Sequence, residues 1–212
     1  MKALIIGATG ATGKDLVEIL LGDPDYTEVV AFVRRPSGRS NPKLVEVVTD
    51  FDQLDAVADS IRGEVWFSCL GTTLKAAGSK ERQRQIDYEI PARFADLARG
   101  NGVARAVVLS AYGASASSQV FYSRLKGELD DHVAGLAFDQ CVIFRPGMLQ
   151  RKDTDRWGER ITNWVLKVVN GLGLIRKFRP LPTALLAEKM AKAPKMLGTG
   201  KHLIELDKIF EF

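Results

Sequence analysis

The chain reads as an α/β protein built on a doubly wound parallel sheet, and three observations predict this. Short apolar runs alternate with helical patterns along most of the length, the signature of strand–helix–strand crossovers. The runs are continuously apolar rather than alternating in polarity, as strands covered on both faces must be. The first run breaks directly into a glycine-rich turn that opens a helix.

The elements follow in order. Ala3 to Ile6 is the first strand, with Gly7, Gly10 and Gly13 behind it at three-residue spacing. Leu16, Val17, Ile19, Leu20 and Leu21 then carry a helical apolar pattern. Glu28 to Val33 is a second strand, ended by Arg34-Arg35-Pro36-Ser37-Gly38. Leu44 to Val48 is a third, followed by Asp50-Phe51-Asp52 and a short helix through about Ile61. Glu64 to Leu70 is a fourth, closed by Gly71-Thr72-Thr73. A polar loop, Lys75 to Ser79, leads into a long helix from about Glu81 to Arg99, with Ile86, Ile90, Phe94, Leu97 and Ala98 inward and Asn101-Gly102 as its stop. Ala104 to Leu109 is the fifth strand, Ser118 to about Val133 a helix, and Phe138 to Phe144 the sixth strand, with Pro146-Gly147 at its end. A helix from about Ala184 to Met196 and a strand from Lys201 to Leu206 close the fold. One domain over residues 1–212 is expected, with a small substrate lobe within it over residues 148–183. In that lobe Trp157, Ile161, Trp164, Val165, Val168 and Leu172 recur at helical spacing, and Arg176, Lys177 and Arg179 either steer an anionic substrate or form a solvated loop.

Composition narrows the function classes. At 212 residues the chain supports one sizeable core. The net charge of +4 is concentrated: residues 151–180 hold eight Lys/Arg against three Asp/Glu, and the rest is nearly neutral. That argues against a nucleic-acid surface. Cys69 and Cys141 sit in apolar runs as reduced thiols, and His132 and His202 lack metal-ligand partners at suitable spacing, so no metal is expected. No stretch nears the roughly 18 uninterrupted apolar residues of a membrane span, and no secretory signal precedes the first strand, so a cytoplasmic protein without membrane insertion is expected.

Strand, glycine turn and helix are the context in which three glycines predict dinucleotide binding. Gly7 permits the tight turn, Gly10 lets backbone approach a pyrophosphate, and Gly13 lets the helix pack close. The helix start offers free N–H groups to the phosphates. The end of the second strand selects the cofactor. A site for NAD places an acid there for the ribose 2′-hydroxyl, but this strand ends on Arg34 and Arg35, whose guanidinium groups suit the 2′-phosphate of NADP. Asp50 and Phe51, at the next strand end, either border the adenine or, for Asp50, cap the helix that follows.

Tyr122 and Lys126 stand four apart on a predicted helix and so share a face. Ser110 ends the fifth strand at the carboxyl edge, where ligands of such sheets bind. A phenol works as an acid near neutrality when an ammonium favours its phenolate, while a serine hydroxyl holds a carbonyl oxygen as hydride arrives from a nicotinamide.

Together these segments resemble an atypical short-chain dehydrogenase/reductase, and more narrowly the Tat-interacting-protein-like NAD(P)-binding oxidoreductases of bacterial type. The resemblance is carried by Gly7-Ala-Thr-Gly-Ala-Thr-Gly13, Arg34-Arg35, Cys69-Leu-Gly-Thr-Thr73, Ile86-Asp-Tyr88, Ser110-Ala-Tyr-Gly113, Tyr122-Ser-Arg-Leu-Lys-Gly-Glu128 and Phe144-Arg-Pro-Gly147. It implies that Gly7, Thr9, Gly10, Ala11 and Thr12 contact the pyrophosphate, that Arg34 and Arg35 hold the 2′-phosphate, and that Leu70, Gly71 and Thr72 line the cofactor's middle. It further implies Ser110, Tyr122 and Lys126 as the catalytic set, Lys126 also gripping the ribose, with Pro146 beside the carboxamide. The catalytic Asn of many short-chain reductases has no counterpart; Asn101 reads as a helix stop. The expected function is NADP(H)-dependent reduction of a small carbonyl or oxidation of an alcohol. The alternative is a non-catalytic NADPH-binding regulator that engages a partner protein.

Overall fold

A computed structural model of the chain describes residues 1–150 and 179–212. The Trp157–Leu172 pattern, Arg176, Lys177 and most of the expected lobe lie outside the described residues. Strands β1 (Lys2–Ile6), β2 (Glu28–Val33), β3 (Leu44–Val48), β4 (Val65–Ser68), β5 (Arg105–Leu109), β6 (Gln140–Arg145) and β9 (Gly200–Glu205) form one sheet in the order β3-β2-β1-β4-β5-β6-β9. Every neighbouring pair is parallel. The order reverses between β1 and β4, which places the ligand crevice at their carboxyl ends. A second, two-stranded parallel sheet, β7 (Leu149–Gln150) with β8 (Leu181–Pro182), brackets the expected lobe.

Residue alternation along the strands splits the core into two layers. Ala3 and Ile5 face α1 (Ala11–Gly22) and α6 (Thr183–Met196), packing with Leu16, Leu20, Leu186 and Met190. Leu4 and Ile6 face α4 (Ile90–Gly100) and α5 (Phe121–Gly135), packing with Phe94, Leu129 and Val133. The doubly wound architecture is therefore as the apolar runs predict.

Three local departures have physical causes. The expected long helix is three pieces: α3 (Lys80–Arg84), a π-helical turn at Gln85–Glu89, and α4. The wide turn carries Asp87, whose side chain is fully buried in the apolar layer. The expected polar loop contains a helical turn, α2 (Leu74–Ala77), because the Thr73 side chain caps it by accepting from Ala76 N. After β3 the helix is of 3₁₀ type, Phe51–Ser60, with Asp50 accepting from Asp52 N as its cap. A short α7 (Lys208–Glu211) ends the chain, an element that periodicity did not indicate.

Candidate active site

The turn after β1 is built from glycine geometry. Gly7 has φ +80°, and a Cβ there would overlap the Cys69–Leu70 backbone. A Cβ at Gly13 would overlap the Gly7 carbonyl, so α1 can press against β1 in no other way. Gly10 N donates to Gly7 O at 3.0 Å and closes the turn. Gly10 then serves as the N-cap of α1, and no side chain caps that helix or places an acid in its first turn. Its leading N–H groups are left for a ligand, and the positive end of the helix dipole favours an anion there.

The cleft above this turn has two adjoining hollows. One, of about 250 Å³, is lined by Gly7, Thr9, Gly10, Arg34, Asp50, Phe51, Leu70, Gly71 and Thr72, among others. The other, of about 770 Å³, is lined by Gly10, Ala11, Thr12, Leu70, Gly71, Thr72, Ser110, Tyr122 and Lys126, with Leu74, Val120, Phe121 and Leu149 at its apolar rim. Thus the structure gathers the expected glycine-turn, strand-end and Ser–Tyr–Lys residues along one crevice. Arg35 and Pro146 line neither hollow: Arg35 is exposed beyond β2, and Pro146 is buried, with its carbonyl accepting from Tyr112 N at 2.9 Å. Arg34 makes no ion pair or hydrogen bond among the described residues, whereas Arg39, farther along the same loop, is held by Glu18 at 2.7 Å. Arg179 stacks on the Phe210 ring at 3.5 Å.

Tyr122 and Lys126 do project from one face of α5, yet their surroundings differ. Tyr122 is 39% exposed at the cleft, while Lys126 is 2% exposed. Lys126 Nζ lies 3.3 Å from Asp87 Oδ1 and donates to Leu70 O at 3.4 Å. Thr72 N–H donates to the other Asp87 oxygen at 3.1 Å. Burial alone would lower the Lys126 pKa, but Asp87, Tyr122 and Asp130 together hold it above the usual lysine value. Burial pushes Asp87 above the usual carboxylate range, and the Lys126 ammonium opposes that.

Ser110 is 4% exposed, and its hydroxyl donates to Asp130 Oδ2 at 2.9 Å. Arg145 Nε donates to the same oxygen at 2.8 Å, and its Nη1 donates to Glu205 Oε1 at 3.2 Å. Burial raises the Asp130 pKa, against the bonds from Ser110 and Arg145. Cys69, on the cleft wall, has its thiol pushed up to about 12 by burial, with Lys126 pulling the other way.

Asp87, Asp130 and Arg145 are the members sequence reasoning gave no role. A signal existed: Asp87 falls on the inward stripe with Ile90 and Phe94, and Asp130 follows Lys126 by one helical turn, beside Leu129 and Val133. A charged residue on an apolar stripe needs a partner. Asn101 does what a helix stop does, donating to Ala58 O at 2.8 Å and Ile61 O at 2.9 Å.

Residues 7–162, more than half of the chain, match the NAD(P)H-binding family. The chain belongs to that family. Its curated relatives include the protein HTATIP2 of Rattus norvegicus, 35% identical over 170 residues, 78% of this chain and 69% of the relative. They also include the proteins named FMP52, mitochondrial, of Candida albicans (strain SC5314 / ATCC MYA-2876), 31% identical over 85% of this chain and 82% of the relative, and of Debaryomyces hansenii, 31% identical over 94% and 92%. The resemblance to atypical short-chain dehydrogenase/reductases therefore holds. The cytoplasmic expectation does not: relatives named mitochondrial overturn it, because composition does not distinguish those compartments. Among solved structures, MoeE5 in complex with UDP-glucuronic acid and NAD superposes with a TM-score of 0.73 at 15% identity, over 97% of this chain and 76% of that one. A short chain dehydrogenase family protein from Francisella tularensis superposes at 0.68 and 16%, over 98% of both chains. At such identities the likeness is one of fold, and it agrees with the strand order above. No described helix is long and apolar enough to cross a membrane.

Proposed function

We propose that the protein is an NADP(H)-dependent oxidoreductase that interconverts a small carbonyl compound and its alcohol. The observation that carries the reading is one crevice that joins uncapped α1 amides, an unpaired Arg34 guanidinium, and Tyr122 with Lys126. The residues fit the cofactor: the glycine turn leaves room for a pyrophosphate, and Ala11 and Thr12 N–H groups meet it. Arg34 takes the 2′-phosphate through charge-assisted bonds, Asp50 and Phe51 border the adenine, and Leu70, Gly71 and Thr72 support the middle.

A bound dihydronicotinamide supplies the hydride. The chain supplies the rest. Tyr122 Oη–H gives its proton to the carbonyl oxygen as the carbon is reduced, and Lys126 stabilises the phenolate left behind and meets the ribose hydroxyls. Ser110 lies across the cleft to hold the substrate oxygen. In the oxidative direction each transfer reverses. We read the whole chain as one domain, with a small substrate lobe over residues 148–183.

A second reading has one observation behind it. The Ser110 hydroxyl is buried and already committed to Asp130, which suits a protein that binds NADPH and signals to a protein partner without turnover. Titration of NADPH and NADH side by side, followed by a carbonyl panel with wild type and Tyr122→Phe, separates them. The reductase reading expects tighter NADPH binding and turnover that Tyr122→Phe abolishes while binding persists. Equal affinity for both nucleotides would end the case for Arg34, and partner binding that needs NADPH, with no substrate turned over, would establish the regulator.

A further inference from the structure

A fully buried carboxylate, Asp87, faces the Lys126 ammonium on the inner wall of the cleft. We propose that Asp87 is a positioning residue: it holds the Lys126 ammonium charged and fixed on the inner wall of the cleft, where the cofactor's ribose lies. The inference rests on the cofactor reading above.

Three observations carry it. First, the π-helical turn at Gln85–Glu89 widens the backbone and delivers Asp87 inward, fully buried beside the apolar layer of Ile90 and Phe94; such single π turns recur at functional sites. Second, Asp87 is fixed at both oxygens: Thr72 N–H anchors Oδ2 at 3.1 Å, and Lys126 Nζ stands 3.3 Å from Oδ1. Apart from the Lys126 ammonium, Oδ1 has no partner among the described residues, so lone-pair capacity remains beside the cleft. Third, Gly71 roofs the pair. A Cβ there would come within 3.1 Å of Asp87 Oδ1 and 3.4 Å of Lys126 Nζ, and Gly71 lines both hollows. The absence of a side chain keeps the pair next to ligand space.

The electrostatics agree. Lys126 faces Asp87 from the π turn, Tyr122 and Asp130 from its own helix, and the Cys69 thiol from the end of β4. Asp130 is shared with Ser110 and Arg145, and Cys69 stays protonated, so Asp87 is the anion free to serve the lysine. A lysine folded with a raised pKa keeps its charge up to and beyond its ordinary value and loses it only as pH climbs through the raised one. Without Asp87, burial dominates and the proton leaves at lower pH.

The test uses the full chain with lysine labelled at Cε, titrated by NMR without nucleotide, and NADPH affinity measured from about pH 6 to about pH 9. Asp87→Asn keeps the acceptor for Thr72 N–H and removes the charge. The expected result is a Lys126 titration moved down into that range, with NADPH binding weakening about tenfold or more as pH rises, while the wild type varies less than about twofold. Asp87→Glu should restore a flat profile at lower affinity, since the charge is kept but displaced; it carries the test alone if the Asn variant does not fold, and an affinity equal to wild type would then overturn the proposal. A Lys126 titration unmoved in Asp87→Asn, or an equal loss of affinity at every pH, also overturns it. Failure of the wild type to bind either nucleotide would instead overturn the cofactor reading, and this inference with it.

Discussion

The hollow beside β2 and the hollow beside α5 share Gly10 and residues 69–72, but they are made of different materials. The first is backbone: a glycine turn, the amides of α1, and an arginine on an exposed loop. The second is side chains held by buried charge: Lys126 on Asp87, and Ser110 on Asp130 and Arg145. A backbone site fails when atoms are added to it, and a charged site fails when one charge is taken away. The same cleft therefore carries two kinds of fragility, and each is open to attack separately.

The largest effect should come from the charged side. Lys126→Met strands the buried Asp87 carboxylate, and urea denaturation should register about 3–5 kcal/mol of lost stability. Adding Asp87→Leu should return most of it, because two apolar groups leave no orphan charge. A single variant as stable as wild type would erase the contrast. Next is Gly7→Ala on the backbone side: positive φ and overlap with the Cys69–Leu70 backbone should cost about 1–3 kcal/mol, and nucleotide titration should show binding lost. Smaller again is Arg34→Ala. Stability should stay within about 0.5 kcal/mol of wild type, while NADPH affinity falls by roughly 1.5–3 kcal/mol and NADH affinity holds. The smallest effect is a null. Cys69, pushed to about 12, and Cys141, pushed to about 11, are protonated at ordinary pH, so a thiol reagent near neutrality should modify neither until the protein is unfolded. Rapid labelling of Cys69 in the folded protein would show that the wall of the second hollow is wetter than described.

How well the chain could be read follows the same division. The sheet was legible because strands buried on both faces are written as unbroken apolar runs, such as Val29 to Val33. The glycine turn was legible because Gly7 and Gly13 meet backbone, a local requirement with a local signature. Asp87 and Asp130 were not legible as site members, because their partners lie 39 residues away in one case and across α5 and β6 in the other. A long helix was expected where a π turn intervenes, since the wider turn serves a contact that helical periodicity does not encode. Arg35 and Pro146 were drawn in by adjacency: the next residue along a strand end or after a strand turns its side chain elsewhere, and only Arg34 reaches the first hollow. Asp50 turned out both ways, capping the 3₁₀ helix and bordering the same hollow.

The first helix has a partner that the chain makes late. Leu16, Val17 and Leu20 of α1 pack with Leu186 and Met190 of α6, Tyr26 donates to Ala191 O at 2.7 Å, and Thr183 donates to Asp15 at 2.7 Å. During synthesis, α1 leaves the ribosome before α6 and stays bare on that face until α6 follows it. A nascent chain that lacks α6 therefore has greasy surface on view, a natural client for chaperones.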